Sequence, residues 1–177
     1  VLFRSCEPKD TLGILSRVKF GTLGGIQKIK AIDPSFDLAT TNVAFCEQYR
    51  SLLTEDEWVL LTANISDRDI LLAAKKMFEG EEIWDDVRLG KLLNDHQENL
   101  REYKQISTPK IDRMISAALA AGALGAKING SGGGGCMFAY VPTNPEAVVE
   151  AIEKEGGKAY IIRVDVGTQQ EKASLFY

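Results

Sequence analysis

Histidine occurs once in this chain, at His96, and cysteine only as Cys6, Cys46 and Cys136. No Cys-x-x-Cys pair and no Cys/His spacing is present, which excludes zinc ribbons and disulfide scaffolds and leaves reduced thiols as the expectation. Long apolar runs are equally scarce: none approaches the ~20 residues of a membrane-spanning helix. No stretch reads as a secretory signal, so the expected setting is the cytoplasm. Positive charge is also short. Lys and Arg number 21 against 25 Asp and Glu, a net charge of −4. No basic run stands out, so neither a nucleic-acid surface nor a membrane partner is expected.

What remains is an ordinary globular composition over 177 residues, 45% hydrophobic and 26% charged, enough for one domain with a real core. Val1-Leu2-Phe3 reads as a strand already in progress, so the chain is expected to be the later part of something longer. No internal repeat is visible.

Glycine, by contrast, is concentrated. Asn129-Gly130-Ser131-Gly132-Gly133-Gly134-Gly135-Cys136 holds five glycines in eight residues, between apolar flanks. Ordering so much glycine costs conformational entropy, which a fold accepts where backbone must approach something closely or turn with positive φ. Successive amides in such a loop form a concave nest suited to phosphate oxygens. Gly130, Ser131, Gly132, Gly133, Gly134 and Gly135 are the candidate phosphate-binding residues. The Ser131 hydroxyl either adds a hydrogen bond or is simply a small residue that suits the turn.

The surroundings of the loop read clearly. Thr108 is placed as an N-cap with Pro109 at the first helical position, Ile111, Ile115, Ala118 and Leu119 recur at helical spacing, and Gly122 ends the helix. Leu124–Ile128 and Cys136–Val141 read as strands on either side of the loop. Asn144 is the expected cap of a helix over Glu146–Glu155, Gly156-Gly157 stops it, and Ala159–Val164 is a further strand. With Val1–Phe3 this predicts an α+β fold: an antiparallel sheet with helices packed on one face, a ferredoxin-like split β-α-β arrangement, plus additional helices. Those helices are expected at Ile14–Ile32, Val43–Leu53, Trp58–Ala63 behind a capping box at Thr54–Glu57, Asp67–Phe78 and Val87–Tyr103.

Gly130-x-Gly132-x-x-Gly135 matches the spelling of a dinucleotide fingerprint, but that motif needs a helix after the loop, and Met137–Val141 reads as a strand. No Gly-Lys-Ser/Thr closes the run, so it is not a Walker A loop either. A flexible hairpin that binds nothing stays open on pattern alone.

The stretch Gly125-Ala126-Lys127-Ile128-Asn129-Gly130-Ser131-Gly132-Gly133-Gly134-Gly135-Cys136 resembles the third motif of the GHMP small-molecule kinases, most of all in the galactokinases. Leu89-Gly90-Lys91-Leu92-Leu93-Asn94-Asp95-His96, Leu100-Arg101 and Ser107-Thr108-Pro109-Lys110-Ile111-Asp112 are similar to the passage that leads to it. The likeness covers about positions 86 to 165. It implies that residues 1–177 are the C-terminal domain of a two-domain ATP- and Mg²⁺-dependent kinase acting on a sugar hydroxyl, with this loop as one wall of the transfer site.

The family's main phosphate loop, sugar cluster and catalytic Asp belong to an N-terminal domain with no counterpart here. By resemblance, then, this chain holds no catalytic residue and no metal ligand, is inactive alone, and has as partners ATP, a sugar and that missing domain. Asp10–Arg17 has the outline of a sugar-approaching passage, but Gly13 stands where the galactokinases carry Tyr. Another small alcohol such as mevalonate, a non-catalytic sugar or nucleotide sensor, and an α+β interaction domain are the alternatives.

Five further readings concern individual residues or short runs. Cys136 is expected as a buried small hydrophobe and Lys127 as a solvent-facing strand residue. His96 is read as a hydrogen-bonded packing residue on an apolar helix face. Asp67-Arg68-Asp69 is read as a helix start with a solvated charge pair, and Asp85-Asp86 as a helix cap rather than a Mg²⁺ site.

Overall fold

Alternation of side chains along four short strands decides how the sheet is built. In a computed structural model describing residues 1–8, 11–163 and 167, β1 (Leu2–Arg4), β2 (Gly125–Asn129), β3 (Cys136–Tyr140) and β4 (Lys158–Tyr160) form one sheet in the order β2-β3-β1-β4. Every pair is antiparallel, with Phe3 opposite Met137 and Ala159, and Ile128 opposite Met137. One face therefore carries Phe3, Ala126, Ile128, Met137, Ala139 and Ala159, all buried. Against it pack Ile111, Met114, Ile115 and Ala118 of α5 (Pro109–Ala120) and Val148 and Ile152 of α6 (Pro145–Lys154). Each fully buried aliphatic side chain contributes about 1.5–3 kcal/mol, so this one face supplies most of the drive to form the sheet. The order is that of the split β-α-β fold anticipated from the sequence. The strand expected to run on to Val164 ends at Tyr160, and Val164 itself lies outside the described residues.

The other helices form a second layer. They are α1 (Thr11–Lys30), the short α2 (Val43–Cys46) continuing into a 3₁₀ turn (Glu47–Leu52), α3 (Glu55–Phe78) and α4 (Asp86–Glu98), which runs into a π-helical turn (Asn99–Tyr103). Ile29, Phe36, Cys46, Tyr49, Leu53, Leu61 and Ile65 form its core. The capping box is present: Thr54 Oγ1 accepts from the Glu57 amide at 3.2 Å, and Glu57 accepts from the Thr54 amide at 2.8 Å. Trp58–Ala63 and Asp67–Phe78 are not two helices. With no Gly or Pro between them, α3 runs unbroken, and Asp67-Arg68-Asp69 sits in its middle rather than at a start.

Helix α4 lies along the edge of β2, and its side chains take the place of a further strand. Asn94 Nδ2 donates to the Leu124 carbonyl at 3.0 Å while its Oδ1 accepts from the Ala126 amide at 3.0 Å. Gln97 Oε1 accepts from the Ile128 amide at 2.9 Å. Gly90, Asn94 and Gln97 share one helical stripe, so the same stripe that approaches the strand also satisfies it.

Two caps behave differently from each other. Thr108 Oγ1 accepts from the Ile111 amide at 3.2 Å, as anticipated. Asn144 is not a side-chain cap: it adopts φ 51°, ψ 57° and makes no capping hydrogen bond. The turn ahead of Pro145 needs a left-handed residue, a role Asn tolerates, and that backbone leaves its side chain unused as a cap.

Candidate functional site: the glycine loop

The five glycines of the loop all have positive φ: 102° at Gly130, 75° at Gly132, 64° at Gly133, 115° at Gly134 and 90° at Gly135. Any L side chain is strained in that region, so the composition of the loop follows from its path. Space is a second constraint at Gly132, where a Cβ would lie 2.3 Å from the Ile106 carbonyl oxygen. The Gly133 amide donates to that same carbonyl at 2.7 Å. Gly135 is tied at both its polar groups: its amide donates to Ser5 Oγ at 3.2 Å, and its carbonyl accepts from the Ser5 amide at 3.0 Å.

The loop is therefore anchored, not a free hairpin tip. Two amides of the nest, those of Gly133 and Gly135, are spent on these anchors. Among the described residues the amides of Ser131, Gly132 and Gly134, and the Ser131 hydroxyl, have no protein acceptor. Ile106 lies two residues ahead of Thr108, the N-cap of α5, so the loop rests beside the positive end of that helix. Unpaired amides next to a helix N-terminus make a chemical environment suited to phosphate oxygens. Among the described residues no three His, Cys, Asp or Glu side chains converge as a metal site would require.

The neighbouring residues correct three expectations. Cys136 is exposed. On β3 it is out of phase with the buried Met137 and Ala139, so strand alternation turns it away from the core. Lys127 is not in solvent. It does face away from the α5/α6 core, but α3 and α4 cover that side, and it lines a cavity of about 410 Å³ with Leu71, Leu92, Leu93 and Phe138. Its Nζ donates to the Ile128 carbonyl at 2.7 Å and lies 5.4 Å from the centre of the Phe138 ring, and desolvation pushes its pKa down.

Asp67 is likewise no solvated charge; its side chain is 13% exposed. It binds Lys104 Nζ at 2.5 Å and Asn99 Nδ2 at 2.8 Å, with His96 Nε2 at 3.5 Å. Burial raises the carboxyl pKa, but the hydrogen bonds from His96, Lys104 and Asn99 and the Lys104 charge outweigh it, and the net shift is downward. His96 is thus a packing residue with a polar partner, as anticipated. Asp85 caps α4 by accepting from the amides of Val87 at 2.9 Å and Arg88 at 3.0 Å. Asp86 instead accepts from the Tyr140 hydroxyl and from Trp84 Nε1, which holds its carboxyl below the usual range.

The sequence reading missed the Asp67–Lys104–Asn99 cluster, because its members are far apart in the chain and ordinary in type. The Gly90, Asn94 and Gln97 stripe was there to be found, since its spacing is that of one helix face.

Residues 81–158 match the family model described as GHMP kinases C terminal. The chain is 46% identical over 77 residues to a mevalonate kinase of Thermococcus gammatolerans, a match spanning 44% of this chain and 23% of that protein. It is 35% identical over 96 residues to a galactokinase of Mycobacterium bovis, spanning 54% of this chain and 22% of that protein. The fold is similar to that of Lactococcus lactis galactokinase complexed with galactose, with TM-score 0.75 and 20% identity, covering 87% of this chain and 40% of that one. The chain thus spans about a quarter of the length of the curated relatives it matches. Among the described residues no helix is long and apolar enough to cross a membrane.

Proposed function

We propose that this chain is the C-terminal part of an ATP-dependent kinase that transfers the γ-phosphate to a hydroxyl of a small molecule, and that Gly130–Gly135 forms one wall of the transfer site. The observation that carries this reading is the anchored run of positive-φ glycines whose Ser131, Gly132 and Gly134 amides have no protein acceptor among the described residues. Phosphoryl transfer asks a protein mainly for positioning and for donors aimed at phosphate oxygens, and this loop can offer both. ATP would supply the phosphoryl group, and Mg²⁺ would arrive with the nucleotide and be held mainly by another part of the protein. The attacking hydroxyl's proton would likewise go to a base in that other part.

Two acceptors fit this reading. A sugar, as in a galactokinase, is favoured by the Gly132–Cys136 run and by the similarity of fold. Mevalonate is favoured by the higher identity over the matched stretch, 46% against 35%. Assay of the protein at the length of its relatives, with ATP and either galactose or mevalonate, decides between them. The 177-residue chain alone should turn over neither. Nucleotide binding without transfer to any acceptor would instead support a sensor.

A further inference from the structure

The seat of the glycine loop, the Ile106 carbonyl, belongs to a segment with an unusual backbone. Helix α4 does not simply end. Its last turn widens into the π-helical Asn99–Tyr103, closed by the Lys104 amide donating to the Asn99 carbonyl at 2.9 Å. The Ile106 amide then donates back to the Leu100 carbonyl at 2.9 Å, and between them Gln105 is forced to φ 52°. Single π turns and left-handed non-glycine residues persist only where surrounding contacts over-determine them.

One carboxylate supplies those contacts. Asp67, from the middle of α3, accepts from Asn99 Nδ2 at 2.8 Å through one oxygen and from Lys104 Nζ at 2.5 Å through the other. Asn99 opens the π turn and Lys104 closes it, so a single side chain holds both ends. Lys104 is fixed further: its Nζ donates to Asn64 Oδ1 at 3.0 Å, and its carbonyl accepts from Arg17 Nη1 at 2.9 Å. Its side chain is only 11% exposed. The groups facing this pair are His96, whose Nε2 is 3.5 Å from Asp67 Oδ2, and the more distant Lys127 charge.

We propose that Asp67 and Lys104 are positioning residues for the glycine loop. Their pairing clamps the Asn99–Tyr103 turn, the turn fixes the Ile106 carbonyl, and Gly132 and Gly133 rest on that carbonyl. The proposal builds on the phosphate-site reading for its functional consequence, while its structural part stands by itself.

Amide hydrogen exchange on the 177-residue chain tests the structural part, read in Lys104→Met and in Lys104→Arg. In Lys104→Met the acceleration of Gly133 amide exchange should exceed that of the Ala126 and Ile128 amides about tenfold or more. Lys104→Arg, which keeps the charge, should recover most of the protection. If Lys104→Met does not fold, Lys104→Gln carries the same comparison. Unchanged Gly133 exchange overturns the proposal. Equal acceleration at Gly133, Ala126 and Ile128 also overturns it, since the pair would then be a general stabiliser.

The functional part is read in the protein at the length of its relatives. There Lys104→Met should raise KM for ATP about fivefold or more with a smaller change in kcat. A shifted Gly133 exchange with unchanged KM and kcat would confine the clamp to structure and overturn its link to the site. If the unsubstituted protein binds no nucleotide, the phosphate reading fails, while the exchange experiment still decides the clamp.

Discussion

Gly90 of α4 and Gly125 of β2 cross backbone to backbone: a Cβ on Gly125 would lie 2.3 Å from the Gly90 carbonyl oxygen, and a Cβ on Gly90 would lie 2.5 Å from the Leu124 carbonyl oxygen. This close approach lets Asn94 and Gln97 reach the edge of β2 and hydrogen-bond it as a neighbouring strand would. The obstructing atoms are backbone and cannot swing aside. Gly90→Ala and Gly125→Ala should each destabilise the chain by about 3 kcal/mol, the upper range for overpacking. The denaturant midpoint of each variant checks this.

Asn94→Leu should act on the same edge for a different reason. It leaves the Ala126 amide and the Leu124 carbonyl without the partners they have now. An unsatisfied buried group costs about 1–3 kcal/mol. The loss should appear in equilibrium unfolding and as faster exchange of the Ala126 amide, with the Gly133 amide, bonded elsewhere to Ile106, little changed.

Within the loop, two glycines should respond unequally. Both Gly130 and Gly132 have positive φ, but a Cβ at Gly130 meets nothing within 4 Å, while at Gly132 it strikes the Ile106 carbonyl. Gly130→Ala should therefore cost only the backbone strain, about 1 kcal/mol, and Gly132→Ala should cost more and displace the loop. In the protein at the length of its relatives, Gly132→Ala should lower kcat/KM by about a hundredfold or more, as misplacing groups around a reacting phosphate does. Steady-state kinetics of the two variants side by side is the check.

Asp67 makes part of the stability pH-dependent. Its folded pKa lies below its ordinary value, so its contribution is complete above the unfolded-state pKa and is lost as pH falls through the folded one. Asp67→Asn should cost about 3 kcal/mol at neutral pH, because it strands the Lys104 ammonium in a poorly solvated place. The gap between wild type and Asp67→Asn should narrow below about pH 4 and stay level from there up to about pH 5.5. Thermal unfolding of both proteins across that range measures it.

The thiols give a simple check on the whole arrangement. Cys6 and Cys136 are exposed, whereas Cys46 is buried in the helical layer, where desolvation pushes its thiol pKa up. A thiol reagent should label Cys6 and Cys136 in the native chain and reach Cys46 only on unfolding.

Much of the β-sheet half was legible. Thr108-Pro109, Gly122 and the alternation around Met137 and Ala139 are local signals, and each corresponds to what the fold uses. Lys127 and Cys136 were misread for opposite reasons. Strand alternation turns Cys136 outward, whereas its residue type by itself favours burial. For Lys127 alternation was right about the face and silent about α3 and α4 lying over it. Asp67 was beyond reach: its partners Asn99 and Lys104 lie 32 and 37 residues away, and only tertiary packing brings them together. The glycine loop announced itself by composition, but its seat on Ile106 depends on a π turn that no local pattern encodes.

The central claim is that this glycine loop faces a phosphate being transferred. The most direct measurement is transfer from γ-labelled ATP to galactose or mevalonate by the protein at the length of its relatives, beside its Gly132→Ala variant. Labelled product from one acceptor, reduced about a hundredfold or more in a variant that remains folded, is the predicted result. Equal turnover by the two proteins would contradict it.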